Sequence, residues 1–456
     1  MTGDGDIEGG RPMGRIGVSL SGGGHRAALF GLGALMYLVD AGLNRDIVAV
    51  TSVSGGSITN GFLAQSVELA DTKPEDFDRK IQPLVHCIAQ QGTVLPPSPL
   101  TLAYLVALAA LALGTLVGVW FIPVPVGVRV VIFFAGLVVV GFVARLRGGV
   151  AARAFASRLF SPTGRPTALA SVARTVDHVI CAADLHAGEN VYFSGRFVSS
   201  YRYGWGTPGD LPLHLAVQAS SALPGPFPAR WLRVSRHRFR SPLKETEGTR
   251  YMVLADGGVY DNMADQWFLG MPNRRERFGD LAEDVDDVDQ LIVVNSSGGL
   301  GWGKIGWLMR FPLVGELLSL MRDSSVLYDN GNSVRRELLI ERFGRREQTG
   351  RGLLGALVHI PRSPLYIPGR YEKSQDPGYS ARARAMLDLL NPERARWERL
   401  TDEASGTKTS LTRLGTNQAA DLLEHGYVLA MANLHVILGF PKLDLPDRER
   451  FDVLAS

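Results

Sequence analysis

Two short apolar runs near the start of the chain, residues 16–20 and 47–50, each end in a glycine-rich turn and lead into an apolar stretch with helical spacing. The pattern predicts strand, turn and helix twice over, with the first helix opening near His25 and the second close to Ser54. Further strand-like runs at 177–182, 251–255 and 290–295 alternate with helical patterns such as 211–221. That alternation predicts an α/β fold with a mainly parallel central sheet and helices on both faces. The last third of the chain is patterned as helix, for example over 381–390 and 416–438, and carries no chemistry of its own. No internal repeat is present.

The alternation breaks at Leu100. From there to Phe121 no charged residue occurs, and after Pro123 and Pro125 a second apolar run, 126–144, holds Arg129 as its single charge. Each run has about the 20 residues that a bilayer-spanning helix needs. The ten Leu, Val and Phe residues between Leu102 and Phe121 favour insertion by about 4 kcal/mol on a translocon scale. Arg129, near a helix end, reaches the interface by snorkelling. The expectation is a hydrophobic helical hairpin at 99–147, inserted in the plasma or inner membrane; the alternative is a hairpin buried in the protein core. Arg145, Arg147, Arg153 and Arg158 follow the second run, whereas the turn at 123–127 has no charge. By the positive-inside rule the flanking segments face the cytoplasm, and the basic stretch suits anionic headgroups.

Around this insertion the chain divides into a flexible acidic, glycine-rich tail at 1–14, unlike a signal peptide, and two α/β segments at 15–98 and 148–310. A mostly helical extension at 311–456 completes it. Length and composition fit one large domain with additions. The net charge of +3 is too small to argue for nucleic acid. Only Cys87 and Cys181 occur, which excludes a disulfide framework and suits a reducing compartment. The acidic stretch 283–289 lacks EF-hand spacing and reads as a solvated turn. His178, Asp184 and His186 read as structural, and no metal ligand set or organic cofactor is expected.

Chemistry concentrates in three segments. Ser54 lies in Ser52-Val53-Ser54-Gly55-Gly56, after a strand and before a helix, where a tight turn projects a serine hydroxyl as a nucleophile. Gly56 fits the Gly-x-Ser-x-Gly pattern; Ser52 stands where the first glycine belongs, a small residue in its place. Upstream, Gly22-Gly23-Gly24 opens a helix, and glycine N–H groups there can converge on an oxyanion. The same spacing, Gly22-x-Gly24-x-x-Ala27, also suits a dinucleotide loop, but the second strand ends in Thr51 and Ser52 rather than the acidic residue that binds ribose. None of the nine histidines sits in the context of a triad. Asp256, at a strand end before Gly257-Gly258, is the better base, provided partial desolvation raises its pKa.

Together, in this order, the three segments resemble the patatin-like phospholipase family. Ala219-Ser220-Ser221-Ala222-Leu223-Pro224 with Phe227-Pro228 looks like its third block, and Asp256-Gly257-Gly258-Val259-Tyr260-Asp261-Asn262 like its fourth. The likeness covers residues 15–70 and about 170–300, with a weaker stretch near 411–438. It implies a three-layer α/β sandwich and a Ser54–Asp256 dyad with Gly22, Gly23 and Gly24 as oxyanion hole. Ser52 and Gly56 would shape the nucleophile elbow, no metal would be needed, and the substrate would be a phospholipid or another acyl-ester lipid. The Gly-Gly-Gly-His-Arg form is also similar to cytosolic phospholipases of the same superfamily, which implies a phosphate contact for Arg26. A cation in the first helical turn opposes the helix dipole, which favours a functional reason for it. A transacylase and a catalytically inactive membrane scaffold of the same fold stay open as alternatives.

Overall fold

The computed structural model describes residues 14–94, 99–172, 175–224, 227–299, 306, 310–312, 314–349 and 352–456; all but Gly14 of the expected N-terminal tail lies outside them. Ten strands form one sheet: β1 (Ile16–Leu20), β2 (Ile47–Ser52), β3 (Asp177–Asp184), β4 (Glu189–Phe193), β5 (Val198–Ser200), β6 (Gly204–Gly206), β7 (Arg230–Arg233), β8 (Tyr251–Asp256), β9 (Gln290–Asn295) and β10 (Leu354–His359). Their order is β10-β9-β1-β2-β3-β4-β5-β6, and β8 pairs with both β3 and β7. β10, β9, β1, β2 and β3 run parallel; β4, β5 and β6 continue antiparallel, and β8 meets β3 antiparallel. The fold is therefore α/β with a mixed, largely parallel sheet.

The parallel strands are rich in apolar residues because both faces are covered, with polar residues concentrated towards their ends. Along β3, Ile180 and Ala182 enter one hydrophobic cluster while Val179 and Cys181 enter another, as the two-residue period of a strand requires. The larger cluster packs under helices Gly24–Asp40, Thr416–Leu438 and Leu213–Ser220. The second is closed by Met263, Trp267, Met271 and Phe278, joined by Leu339 and Phe343 of helix Val314–Thr349. The last third of the chain, expected as a helical extension, is mostly helical but also gives the sheet its edge strand β10 and its most extensively packed helix, Thr416–Leu438.

The two apolar runs fold as antiparallel helices, Pro99–Leu116 and Val126–Arg145. The Tyr104 hydroxyl donates to Val143 O at 3.0 Å, and Gly136 leaves room for Thr115. The first helix ends at Leu116, short of Phe121, and among the described residues one helix, the second, is long and apolar enough to cross a membrane. The hairpin does not belong to the core: Val126–Arg145 has no buried residue, and Val131, Phe134 and Phe142 are more than 60% exposed. Its link to the main body is helix Arg147–Arg158, where Arg230 Nη2 donates to Gly148 O at 2.9 Å.

Helices Gly24–Asp40 and Thr416–Leu438 touch backbone to backbone at two glycines. A Cβ on Gly33 would overlap Leu423 O, and one on Gly426 would overlap Phe30 O. No side-chain rotation relieves such an overlap. Gly426→Ala should therefore destabilise the fold by about 1–3 kcal/mol, the usual cost of overpacking. Gly149→Ala, in a helix with open space around the position, should not. Chemical denaturation of the two variants checks this.

Candidate active site

β2 and β8 lie along the same edge of β3 but approach from opposite ends. Ser52, the last residue of β2, stands opposite Ile180, and Asp256, the last of β8, stands opposite Ala182. Only Cys181 separates the two registers, so the turns that follow both strands open onto one point. Ser54 follows an extended Val53 and starts helix Ser54–Ser66. Its φ is +50°, in the left-handed region, which costs a non-glycine residue about 1–2 kcal/mol. Its neighbours are buried while Ser54 itself is partly exposed, so the strained turn turns the side chain outward.

Asp256 is 4% exposed. Its Oδ1 accepts from Gly258 N at 2.8 Å, and Oδ2 completes no hydrogen bond among the described residues. Burial pushes the carboxyl pKa up to about 6; the nearby Ser54 side chain and Gly258 N–H pull in the opposite direction without cancelling it. A carboxylate with an open lone pair beside a serine is placed to take a proton.

The glycine loop packs directly on the nucleophile turn. A Cβ on Gly22 would lie 3.2 Å from Ser54 Cβ, and one on Gly55 would overlap the backbone of Gly24. Gly22 N–H is already committed to Asn262 O at 3.0 Å. It is not an available oxyanion donor, because the loop is fastened through it. Gly23 N–H and Gly24 N–H, and Gly55 N–H after the nucleophile, make no hydrogen bond among the described residues. Gly23, with Ser54, is one of the few partly exposed positions here. The free donors thus adjoin the serine at a helix N-terminus, where developing negative charge is favoured.

Behind Ser54 runs a chain of buried hydroxyls. Ser220 Oγ accepts from Ser54 N at 3.0 Å and donates to Cys181 O at 2.6 Å, while Gly257 N donates to Ser220 O at 3.1 Å. This residue touches both turns and the strand between them, yet in sequence only its place in the third block set it apart. Ser57 links Ser220 Oγ (2.8 Å) to Ser52 Oγ (3.0 Å). Ser52 Oγ also accepts from Asn60 Nδ2 at 2.9 Å. A serine therefore fits where glycine was expected: its hydroxyl points into this network, away from the nucleophile. Gly56 has no such freedom, since a Cβ there would lie 2.6 Å from Leu20 O.

The residues read as structural hold neighbouring elements. His178 Nδ1 contacts Asn60 Oδ1 at 2.7 Å, and Asp184 Oδ1 accepts from His186 N at 3.1 Å and from Val253 N at 3.0 Å. His25 is tied through both ring nitrogens, to Thr412 O (2.7 Å) and Thr93 Oγ1 (2.8 Å). Burial lowers its pKa to about 4, so it stays neutral. Arg26 is 8% exposed and Nη1 donates to Thr407 O at 2.8 Å, but Nε has no partner and no carboxylate lies within 4.0 Å among the described residues. A buried guanidinium without a counter-charge is costly unless an anion joins it. Burial accordingly lowers its pKa.

Comparisons with known proteins bear on this geometry. No curated protein matches the chain in sequence. Among solved structures it is similar to human GIVD cytosolic phospholipase A2 at 15% identity and a TM-score of 0.39, over 62% of this chain and 43% of that one. The same human protein in complex with methyl gamma-linolenyl fluorophosphonate and terbium chloride matches at 18% identity and a TM-score of 0.30, over 45% and 29% of the two chains. VipD from Legionella pneumophila matches at 13% identity and a TM-score of 0.27, over 97% and 83%. The chain thus spans less than half the length of the human protein. The family model described as patatin-like phospholipase matches residues 18–264, more than half of the chain and inclusive of Ser54 and Asp256. The chain belongs to the patatin-like phospholipase family.

Proposed function

We propose that this protein is a lipid acyl hydrolase that cleaves fatty-acyl esters with a Ser54–Asp256 dyad. One observation carries the reading: the buried Asp256 carboxyl, with no hydrogen bond to Oδ2 among the described residues, lies beside the side chain of a serine held at φ +50° where two strands meet head to head. Ser54 Oγ attacks the ester carbonyl carbon and its proton passes to Asp256. The N–H groups of Gly23 and Gly24 hold the charge on the former carbonyl oxygen. Collapse of the intermediate breaks the bond to the leaving alcohol, which takes the proton back from Asp256. Water then attacks the acyl-enzyme, gives its proton to Asp256, and releases the fatty acid and Ser54. No step requires a metal or organic cofactor. Arg26, buried and without a carboxylate partner among the described residues, takes the phosphate of a phospholipid substrate.

Ser54→Ala and Asp256→Asn should each lower ester hydrolysis by about a thousandfold or more, and the double variant should be little worse, since the two act as a unit. A fluorophosphonate probe should label the wild type and not Ser54→Ala. Full activity in Asp256→Asn, or labelling of Ser54→Ala, would rule out the dyad.

The pKa of Asp256 sets the sign of the pH dependence. A base must be ionised, and a carboxyl raised to about 6 is still protonated at pH 5, where an ordinary aspartate is charged. kcat/KM should therefore rise with pH and reach half its plateau near pH 6. A limb near pH 4 in a kcat/KM profile would exclude Asp256 as the essential base.

The hairpin supports a membrane-anchored form of this enzyme, with the catalytic body on the cytoplasmic side. What supports it is an apolar surface exposed on both helices, followed by Arg145, Arg147 and Arg153. Because Ser54 precedes the hairpin and Asp256 follows it, the chain must return to the side it left. The protein should resist carbonate extraction, and a cysteine placed at Gly127 should react with an impermeant thiol reagent from outside intact cells. Cys87 and Cys181 are buried and leave that readout clean. Extraction of the whole pool by carbonate, with Gly127→Cys labelled only after lysis, would overturn the anchoring.

A further inference from the structure

Helix Val314–Thr349 lies outside the segment that matches the family, and its sequence suggested no chemistry. The structure lays it against the fourth block. Arg335 donates to Tyr260 O and to Gln266 Oε1, both at 2.9 Å, and lies 3.8 Å from the buried Asp261 and 4.0 Å from Asp265. Tyr328 precedes Arg335 by two helical turns and so shares its face. The latch therefore aims Tyr328 at the site. Its side chain remains 41% exposed, but its hydroxyl reaches the dyad: a Cβ on Gly258 would lie 3.1 Å from that oxygen and 3.0 Å from Asp256 Oδ1. Asn332 hydrogen-bonds to this oxygen, and Arg26 is near enough for the charge of each group to act on the other. Three groups from three separate parts of the chain, Arg26, Asp256 and Tyr328, thus lie near one another, with Ser54 beside Asp256.

We infer that Tyr328 contacts the substrate, its hydroxyl joining the Arg26 guanidinium in holding the phosphate of a phospholipid while Ser54 and Asp256 act on the neighbouring ester. The inference rests on the acyl-hydrolase reading above. A phosphate presents only acceptor oxygens at neutral pH, so it needs donors from its pocket. Arg26 brings the charge and unused donors. Tyr328 adds a donor that carries no charge, since burial and the neighbouring Asp256 carboxylate raise its pKa above its ordinary value. A second cation at this position would stabilise the ionised Asp256 and weaken it as a base; a neutral phenol does so far less.

Tyr328→Phe removes only the oxygen and keeps the ring. The test compares KM and kcat for a phosphatidyl lipid and a diacylglycerol with the same acyl chains, in the same mixed micelles. Tyr328→Phe should raise KM for the phospholipid about tenfold more than for the diacylglycerol, in keeping with the loss of a hydrogen bond to a charged group. Arg26→Ala should do more, and adding Tyr328→Phe to it should cost less than the product of the single effects. Inorganic phosphate should inhibit diacylglycerol hydrolysis competitively in the wild type and more weakly in Tyr328→Phe. Equal losses on both lipids, a fall in kcat alone, or no loss on either would overturn the inference. So would inhibition by inorganic phosphate without any phospholipid-specific loss, which would mark a site for free phosphate. An unchanged unfolding midpoint separates these outcomes from misfolding. Failure of the hydrolase reading is separately visible, as activity that survives in Ser54→Ala.

Discussion

The meeting of β2 and β8 end to end along β3 is the constraint on which the site depends. A parallel strand and an antiparallel strand share one edge of one neighbour, and each stops where the other arrives. Two turns must then occupy the gap above Cys181, and both need glycine: a Cβ on Gly257 would overlap Cys181 O. The carbonyl left unpaired by the missing ladder is taken by Ser220, whose hydroxyl also accepts the Ser54 N–H. Buried polar groups must be satisfied, and here their satisfaction fixes the backbone of Ser54.

Much of this was legible before folding was considered. β1, β2, β3, β8 and β9 show as apolar runs because they are buried on both faces. Ser54, Asp256 and the glycines stand out because they serve backbone conformations and close approaches that few other residues tolerate. Arg26 stood out by its wrong-signed charge at a helix start. Other features had no local signature. β4 to β7 are short, and β10 hides in a helical region. Its Gly355 would collide with Phe343 if it bore a Cβ, a fact only the tertiary packing contains. The roles of Ser220, Asn262 and Tyr328 arise from contacts between elements far apart in sequence. Asn262 looks like turn punctuation, yet its carbonyl is what fastens the oxyanion loop.

The hairpin shows the limit of composition in a different way. Its sequence distinguishes it from every other segment, and among the described residues its helices contribute to neither hydrophobic cluster. Yet the helix made from the first run is shorter than the apolar stretch that encodes it, because the chain passes into a 3₁₀ turn at Gly118–Phe121 before the prolines. Length of an apolar run and length of a helix are separate quantities, and only the second measures reach across a bilayer.

The insertion of the hairpin between nucleophile and base also orders events in time. Ser54 and the glycine loop leave the ribosome first, the apolar hairpin next, and Asp256 well after both. Helix Thr416–Leu438, on which the first helix packs through Gly33 and Gly426, comes nearly last. On the proposed dyad, Ser54 has no base until β8 lies along β3, and until the C-terminal helix docks, the glycine loop has no firm bed. On the proposed reading, a nascent chain is inactive while it is being made, and whatever surface the hairpin meets is met before the site is complete.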